Sequence, residues 1–365
     1  MIDKPFSDLI VIELASVLAG PSVGLFFAEL GANVIKIENT KTGGDVTRSW
    51  KTPLENKESA ESAYYWSVNA GKETVFLDFT NQDDLQKLYQ YVQRADVVIT
   101  NFKLGDDVKL KVDYLTLSQL NPTLIYASIN GFGNHSPRTA YDLILQAESG
   151  FMYMNGDTSP SSATQIENAQ PLKMPVALID ILAGHQLKEA ILIALINKYK
   201  THQGAHLSVS LFDTAIASLA NQATNWLIGH HLPKAQGSLH PNIAPYGELF
   251  ITKDSHQITF AIGNDKQFKK LCDILNLTLY EDITFQTNPQ RVNNRQELYT
   301  LLNKKITQLT FQELFNQCLE NDIPIGKIRN LKEVFELPEA QDMLHFFKHQ
   351  AKELTSVKSI AFKFL

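Results

Sequence analysis

The stretch "LIVIELASVLAGPSVGLFFAELGANVIKIEN", residues 9 to 39, sets the fold class. It reads as an apolar strand, a turn carrying Gly20 and Pro21, an amphipathic helix ending at Gly31, and a second apolar strand. That is a βαβ unit. Further strands are predicted at "ADVVITNF" (95–102) and "TLIYASINGFG" (123–133), with "NQDDLQKLYQYVQR" and "YLTLSQLN" as helical connectors. Strands alternating with helices give a parallel sheet covered on its faces by helices. A buried helix is predicted over 181–199, and "GAHLSVSLFDTAIASLANQATNWLIG" reads as a strand leading into a long helix near 213–228. The pattern then changes: "YGELFITKDSHQITFAIGN" (246–264) is two strands about a polar turn, followed by three helical segments. The fold class is therefore α/β, with a large domain over 1–224 and a small α+β domain over 225–334. A chain of 365 residues supports such a division.

Bulk properties exclude several classes of function. The chain is 44% apolar and 20% charged, the balance of an ordinary globular protein. A net charge of −6 leaves no cationic excess to neutralise a phosphate backbone, so nucleic acid is not an expected partner. The longest apolar run, "AILIALI" (190–196), falls far short of a membrane span, and "MIDKPFSDLIVIELAS" lacks the layout of a secretory leader. Only Cys272 and Cys318 are present, without metal spacing, which fits a reducing cytoplasm and no disulfide framework.

The chemistry-bearing residues are few. The first turn, "ASVLAGPS", has one glycine and no G-x-G-x-x-G fingerprint. The histidines form no metal-binding spacing, and no P-loop or G-x-S-x-G is present. Carboxylates remain. In "MPVALIDILAG" (174–184), Asp180 sits in an apolar stretch running into "HQLKEAILIALINKY". Such an aspartate can cap the helix that follows. It can equally be a reactive group.

The segments "AGPSVGLFFAELGANVIKIEN", "GGDVTR", "ADVVITNF", "YASINGFG", "YDLILQAESGFMYMNG", "MPVALIDILAG", "GAHLSVSLFD" and "HPNIAPYGELFITKD" together resemble the class III coenzyme A transferase family, also called CaiB/BaiF. The likeness covers nearly the whole chain. It implies a large domain with a nucleotide-binding-type parallel sheet, a small α+β domain, and an interlocked homodimer joined by segments near 200–230 and 325–345. In that fold the large domain would be completed by about 335–365, with "KSIAFKFL" as its closing strand.

The resemblance places the family's catalytic aspartate on Asp180. A carboxylate can attack a thioester carbonyl to give a mixed anhydride, then exchange with the thiolate to become an aspartyl-CoA thioester. An apolar surrounding excludes water, and N–H groups at the helix start could stabilise the oxyanion. Carried over by position, the substrate or CoA contacts are Val17, Leu18, Ala19, Asn39, Lys72, Asn101, Phe102, Lys109 and Tyr141. Lys72 and Lys109 would meet phosphates and Phe102 the adenine face. Asn39 departs from the arginine common in transferases of the family. Tyr141 stands where the racemase branch has a histidine; a tyrosine, with its pKa near 10, is a poor proton shuttle at neutral pH.

Leu18 replaces a glutamine of formyl-CoA transferases, and the linker "GHHLPKAQGSLHPNIAPY" lacks their run of glycines, so formyl-CoA and oxalate are not expected substrates. The chain also stops at "AFKFL", short of a G-x-H-T tail that many members carry. The expected activity is CoA transfer from an acyl-CoA to a short-chain or dicarboxylic acid. Coenzyme A is then a substrate, with no tightly bound cofactor and no metal. The alternatives are a 2-methylacyl-CoA racemase using Asp180 as acid/base, and a CoA-binding member without turnover.

Overall fold

The computed structural model describes residues 4–157, 170–235, 237–350 and 352–363. The chain divides into two compact units, one of Met1–Met152, Lys173–Ala223 and Gln341–Leu365, the other of Tyr153–Leu172 and Thr224–Ala340. The stretch 153–172, expected in the large domain, clusters with the smaller unit instead. Its ends pair with each other as a short antiparallel ladder, and Gly237 N–H donates to Gly156 O at 3.0 Å.

The first unit is built on six strands: β1 (Ile10–Glu13), β2 (Asn33–Asn39), β3 (Glu73–Leu77), β4 (Val97–Thr100), β5 (Ile125–Asn130) and β6 (Ala205–Ser210). All neighbours are parallel, in the order β3-β2-β1-β4-β5-β6. Alternate residues face opposite layers, as the period of two requires. Val11, Val97, Ile99, Ile125 and Ala127 face one layer, formed by α1 (Ala19–Glu29) and the long helix Leu178–Thr201, through Val23, Phe27, Ile179, Ala183 and Leu187. Ile12, Ile35, Val98 and Tyr126 face Leu85 and Leu88 of the helix Gln82–Val92 and Leu117 of Tyr114–Leu120. Burial on both faces explains why these strands read as continuous apolar runs.

Helix α1 and the helix Leu178–Thr201 approach closely. A Cβ on Gly184 would collide with Ser22 Oγ and stand 3.1 Å from Ala19 O, so only glycine lets the two backbones meet there.

Three sequence expectations need correction. Strand β3 was not anticipated: it lies at the sheet edge with only Leu77 buried, so its sequence shows no clean alternation. The helix expected over 213–228 is two helices, Leu211–Ala217 and Ala220–Leu227, broken where Ala220 takes φ 47°. The segment "KSIAFKFL" is no strand over its described residues 358–363. It is tied to the first unit by side chains: Ser359 N–H donates to Glu29 at 2.9 Å, and Phe362 meets Phe26 with ring centroids 6.5 Å apart.

The second unit carries an antiparallel sheet of Phe250–Ile251, Gln257–Phe260 and Ile325–Lys327, with Gln257–Phe260 central. Phe260, Phe268, Leu302 and Leu314 lead its core against the helices Asp265–Ile274, Arg295–Ile306 and Phe311–Glu320. Cys272 and Cys318 are free and fully buried in that core. Among the described residues, no helix is long and apolar enough to cross a membrane.

Candidate active site

In an open parallel sheet, ligands bind beyond the carboxyl ends of the strands where the strand order reverses. Here the reversal falls at β1, whose neighbours are β2 and β4. A cavity of about 440 Å³ opens at that point. Its wall combines the turn Ser16–Ala19 after β1, Asn101 and Phe102 after β4, Tyr141, and Asp180.

Asp180 stands in the first turn of the helix Leu178–Thr201 and does not cap it. Residue Ala177 occupies the cap position without a side-chain bond, and the capping is done from elsewhere in sequence. Asp142 accepts from Ile179 N–H at 2.7 Å and from Asp180 N–H at 3.4 Å, while Gln146 donates to its second oxygen at 2.5 Å. The Asp180 carboxylate itself takes no hydrogen-bond partner among the described residues. It is 8% exposed, and burial, followed by the charge of Asp142, raises its pKa to about 7. The choice between cap and reactive group is thus divided between two residues.

The same geometry corrects a second expectation. The N–H groups that begin the Asp180 helix are already bonded to Asp142 and cannot also serve an oxyanion. Ala19 N–H, at the start of α1 and on the cavity wall, makes no such bond among the described residues.

Because the charge of Asp142 raises Asp180, Asp142→Asn is expected to move the acid limb of the pH–rate profile to lower pH by roughly half a unit to one unit. It leaves an oxygen for Ile179 N–H. An unchanged limb in kcat/KM against pH would contradict the coupling.

The turn after β1 is strained and heavily bonded. Val17 has φ 72°, a left-handed conformation that costs a β-branched residue about 1–3 kcal/mol. Its N–H donates to Asp45 at 3.2 Å. Asp45 pairs with Lys36 at 3.0 Å; Lys36 also reaches Glu13 at 3.0 Å, and Lys72 reaches Glu13 at 2.7 Å. These four side chains are buried. Burial pulls the Lys36 ammonium down, but Glu13 and Asp45 carry it above the ordinary lysine value.

Of the ten residues picked out from sequence, seven line this one cavity: Val17, Leu18, Ala19, Asn101, Phe102, Tyr141 and Asp180. Lys72 is not on the cavity wall. Its side chain is 0% exposed and its three protons go to Glu13, Pro21 O and Asn69, so neither a phosphate contact nor a solvated charge describes it. Burial pulls its pKa down to about 8. Lys109 is exposed and pairs with Asp106 at 3.0 Å, outside the cavity wall. Asn39 caps the turn Thr40–Thr42 by accepting from Lys41 N–H at 2.9 Å.

Sequence reasoning missed Asp142 and Asp45, and the two cations of the wall, Lys103 and Arg138. Tyr64 was missed as well. Burial first, then the charges of Asp180, Asp142 and Asp45, raises its phenol pKa, although it does not line the cavity. Its neighbour in sequence, Tyr65, gave no hint of this.

Comparison with known proteins places the whole chain in one family. CoA-transferase family III matches residues 6–364. A succinate–glutarate CoA-transferase of Agrobacterium fabrum is 39% identical over 344 residues, covering 92% of this chain and 83% of that protein. Human succinyl-CoA:glutarate CoA-transferase is 33% identical, with 92% and 74% covered. A CaiB/BaiF family protein from Brucella suis superposes with a TM-score of 0.83 at 36% identity, covering 99% of this chain and 93% of that one. The chain belongs to CoA-transferase family III and is an enzyme of that class.

Proposed function

We propose that this CoA-transferase moves coenzyme A between short dicarboxylic acids through Asp180. The observation that carries the reading is a carboxylate without a hydrogen-bond partner among the described residues, nearly buried in the cavity where the sheet order reverses. Asp180 attacks the thioester carbonyl and expels the CoA thiolate, leaving a mixed anhydride. The thiolate then attacks the Asp180 carbonyl, releasing the donor acid and forming an aspartyl-CoA thioester. The acceptor carboxylate attacks that thioester to give a second anhydride and free thiolate. Finally the thiolate takes the acceptor acyl group and Asp180 is restored. No bond is lost to water provided the cavity stays closed to it.

The named substrates of the relatives support succinate and glutarate as the acids to test first. The turn Val17–Ala19, Asn101, Phe102 and Tyr141 would contact the CoA arm or the acyl group, with Lys103 and Arg138, the latter paired with Glu148, as the cations of the wall that could meet phosphates or a second carboxylate. An interlocked homodimer is supported by Ile193, Ile196 and Tyr199, an exposed apolar row on one face of the helix Leu178–Thr201.

The test supplies succinyl-CoA with glutarate, acetate and oxalate in turn, and examines Asp180 by mass spectrometry for a covalent CoA adduct. Glutaryl-CoA and a labelled Asp180 are expected. Deuterium entering the α-carbon of a 2-methylacyl-CoA, with no acceptor needed, would replace this reading with the racemase one.

A further inference from the structure

Three side chains from three parts of the first unit converge on the turn between β1 and α1. Lys36, on β2, donates to Ala15 O at 2.9 Å. Asn101, after β4, accepts from Ser16 N–H at 3.0 Å and donates to Ser16 O at 2.8 Å. Asp45, in the loop after β2, accepts from Val17 N–H, at 3.2 Å to one oxygen and 3.4 Å to the other. The backbone is held at three consecutive residues.

The clamp is itself immobilised. All three protons of the Lys36 ammonium are used, on Glu13, Ala15 O and Asp45. Asp45 also receives Thr47 N–H at 3.0 Å and the Thr47 hydroxyl at 2.8 Å, so its orientation is fixed from two sides. What it holds is a valine at φ 72°, a conformation valine would leave if released. The next two residues, Leu18 and Ala19, stand on the cavity wall with Asp180. Release of Val17 would turn their peptide groups away from the cavity.

We infer that Asp45 is a positioning residue for CoA transfer: paired with Lys36, it holds Val17 in the left-handed region and so fixes the wall Leu18–Ala19 against which the acyl-CoA is placed. The inference rests on the cavity being the acyl-CoA site. The plain alternative is that Asp45 only neutralises Lys36, and the two differ in how the effect of Asp45 depends on residue 17. Glycine enters the left-handed region without a clamp. On a glycine background, a clamp has nothing to hold. A charge-balancing group would matter as much as before.

The experiment is a double-mutant cycle of Asp45→Ala with Val17→Gly, read as kcat/KM for succinyl-CoA and, separately, as CoA affinity by calorimetry. With Val17 present, Asp45→Ala is expected to lower kcat/KM by about 30-fold, mostly through KM, and CoA affinity by about tenfold. Relative to Val17→Gly alone, the double variant is expected to lose less than about threefold. Equal losses on both backgrounds would overturn the clamp. Should Asp45→Ala not fold, Asp45→Asn runs the same cycle, expected at about fivefold with Val17 and no loss with glycine. An unmutated protein that neither binds CoA nor transfers it would sink the acyl-CoA site and the clamp together, whereas a working enzyme with equal losses would sink the clamp alone.

Discussion

Asp180→Asn is expected to lower CoA transfer by about 10⁴-fold or more and, at pH 8, to make the protein more stable by roughly 2–4 kcal/mol. The first effect follows because an amide cannot form the anhydride. The second follows from the environment of the carboxylate. Burial and the charge of Asp142 raise its pKa to about 7, above the value it has in the unfolded chain. A carboxyl group with a raised folded-state pKa binds its proton more tightly when folded. Its contribution is therefore complete below about pH 4 and is lost as pH rises through about 7. The asparagine variant carries no such loss, so the stability difference should be near zero at pH 4 and reach its plateau above pH 7. Urea titrations at both pH values, beside an activity assay, check this. A variant that is inactive and also less stable at pH 8 would mean that Asp180 is structural. In the unmutated enzyme the same titration should appear as a rate that climbs through about pH 7.

Lys36→Met should destabilise the fold by about 3–5 kcal/mol. Removing one member of a buried ion pair leaves the other charged and without compensation. Here it would leave the Asp45 carboxylate without its counterion and one Glu13 oxygen without its ammonium partner, both buried. Lys41 offers an internal contrast only five residues away. Its pair with Asp78, also at 3.0 Å, is largely exposed, so Lys41→Met should cost no more than about 1 kcal/mol. Raising the salt concentration should not reproduce the Lys36 effect, because buried pairs are poorly screened. A cost below about 1 kcal/mol for Lys36→Met, in urea midpoint at pH 7, would show that the cluster is not needed to hold the sheet together.

The βαβ opening was readable because its strands are buried on both faces and its turns are marked by Gly20, Pro21 and Gly31. Strand β3 was not, since an edge strand with one buried residue carries almost no pattern. The sequence alone left Asp180 open between cap and reactive group, and only the family resemblance favoured the second; the residue that caps its helix was not legible, because Asp142 lies 38 residues away. Lys72 was misread for a similar reason. Glu13 is 59 residues distant, and nothing local announces that it absorbs the ammonium.

One clue was available. In the parallel ladder Glu13 stands directly beside Lys36, so a glutamate ending one apolar strand and a lysine inside the next are the trace of a buried pair. Asp45 and the strained Val17 could not be joined to it from the sequence, since φ at a valine is set by what surrounds it.

The two cysteines bear on a hazard particular to thioester chemistry. Any accessible thiolate can capture an acyl group from acyl-CoA, draining the substrate into a dead-end adduct. Cys272 and Cys318 are fully buried, and burial pushes both thiols up to about 12, so neither offers a thiolate at neutral pH. The folded enzyme should stay unlabelled by a thiol reagent, and unacylated, during prolonged storage with its own substrate.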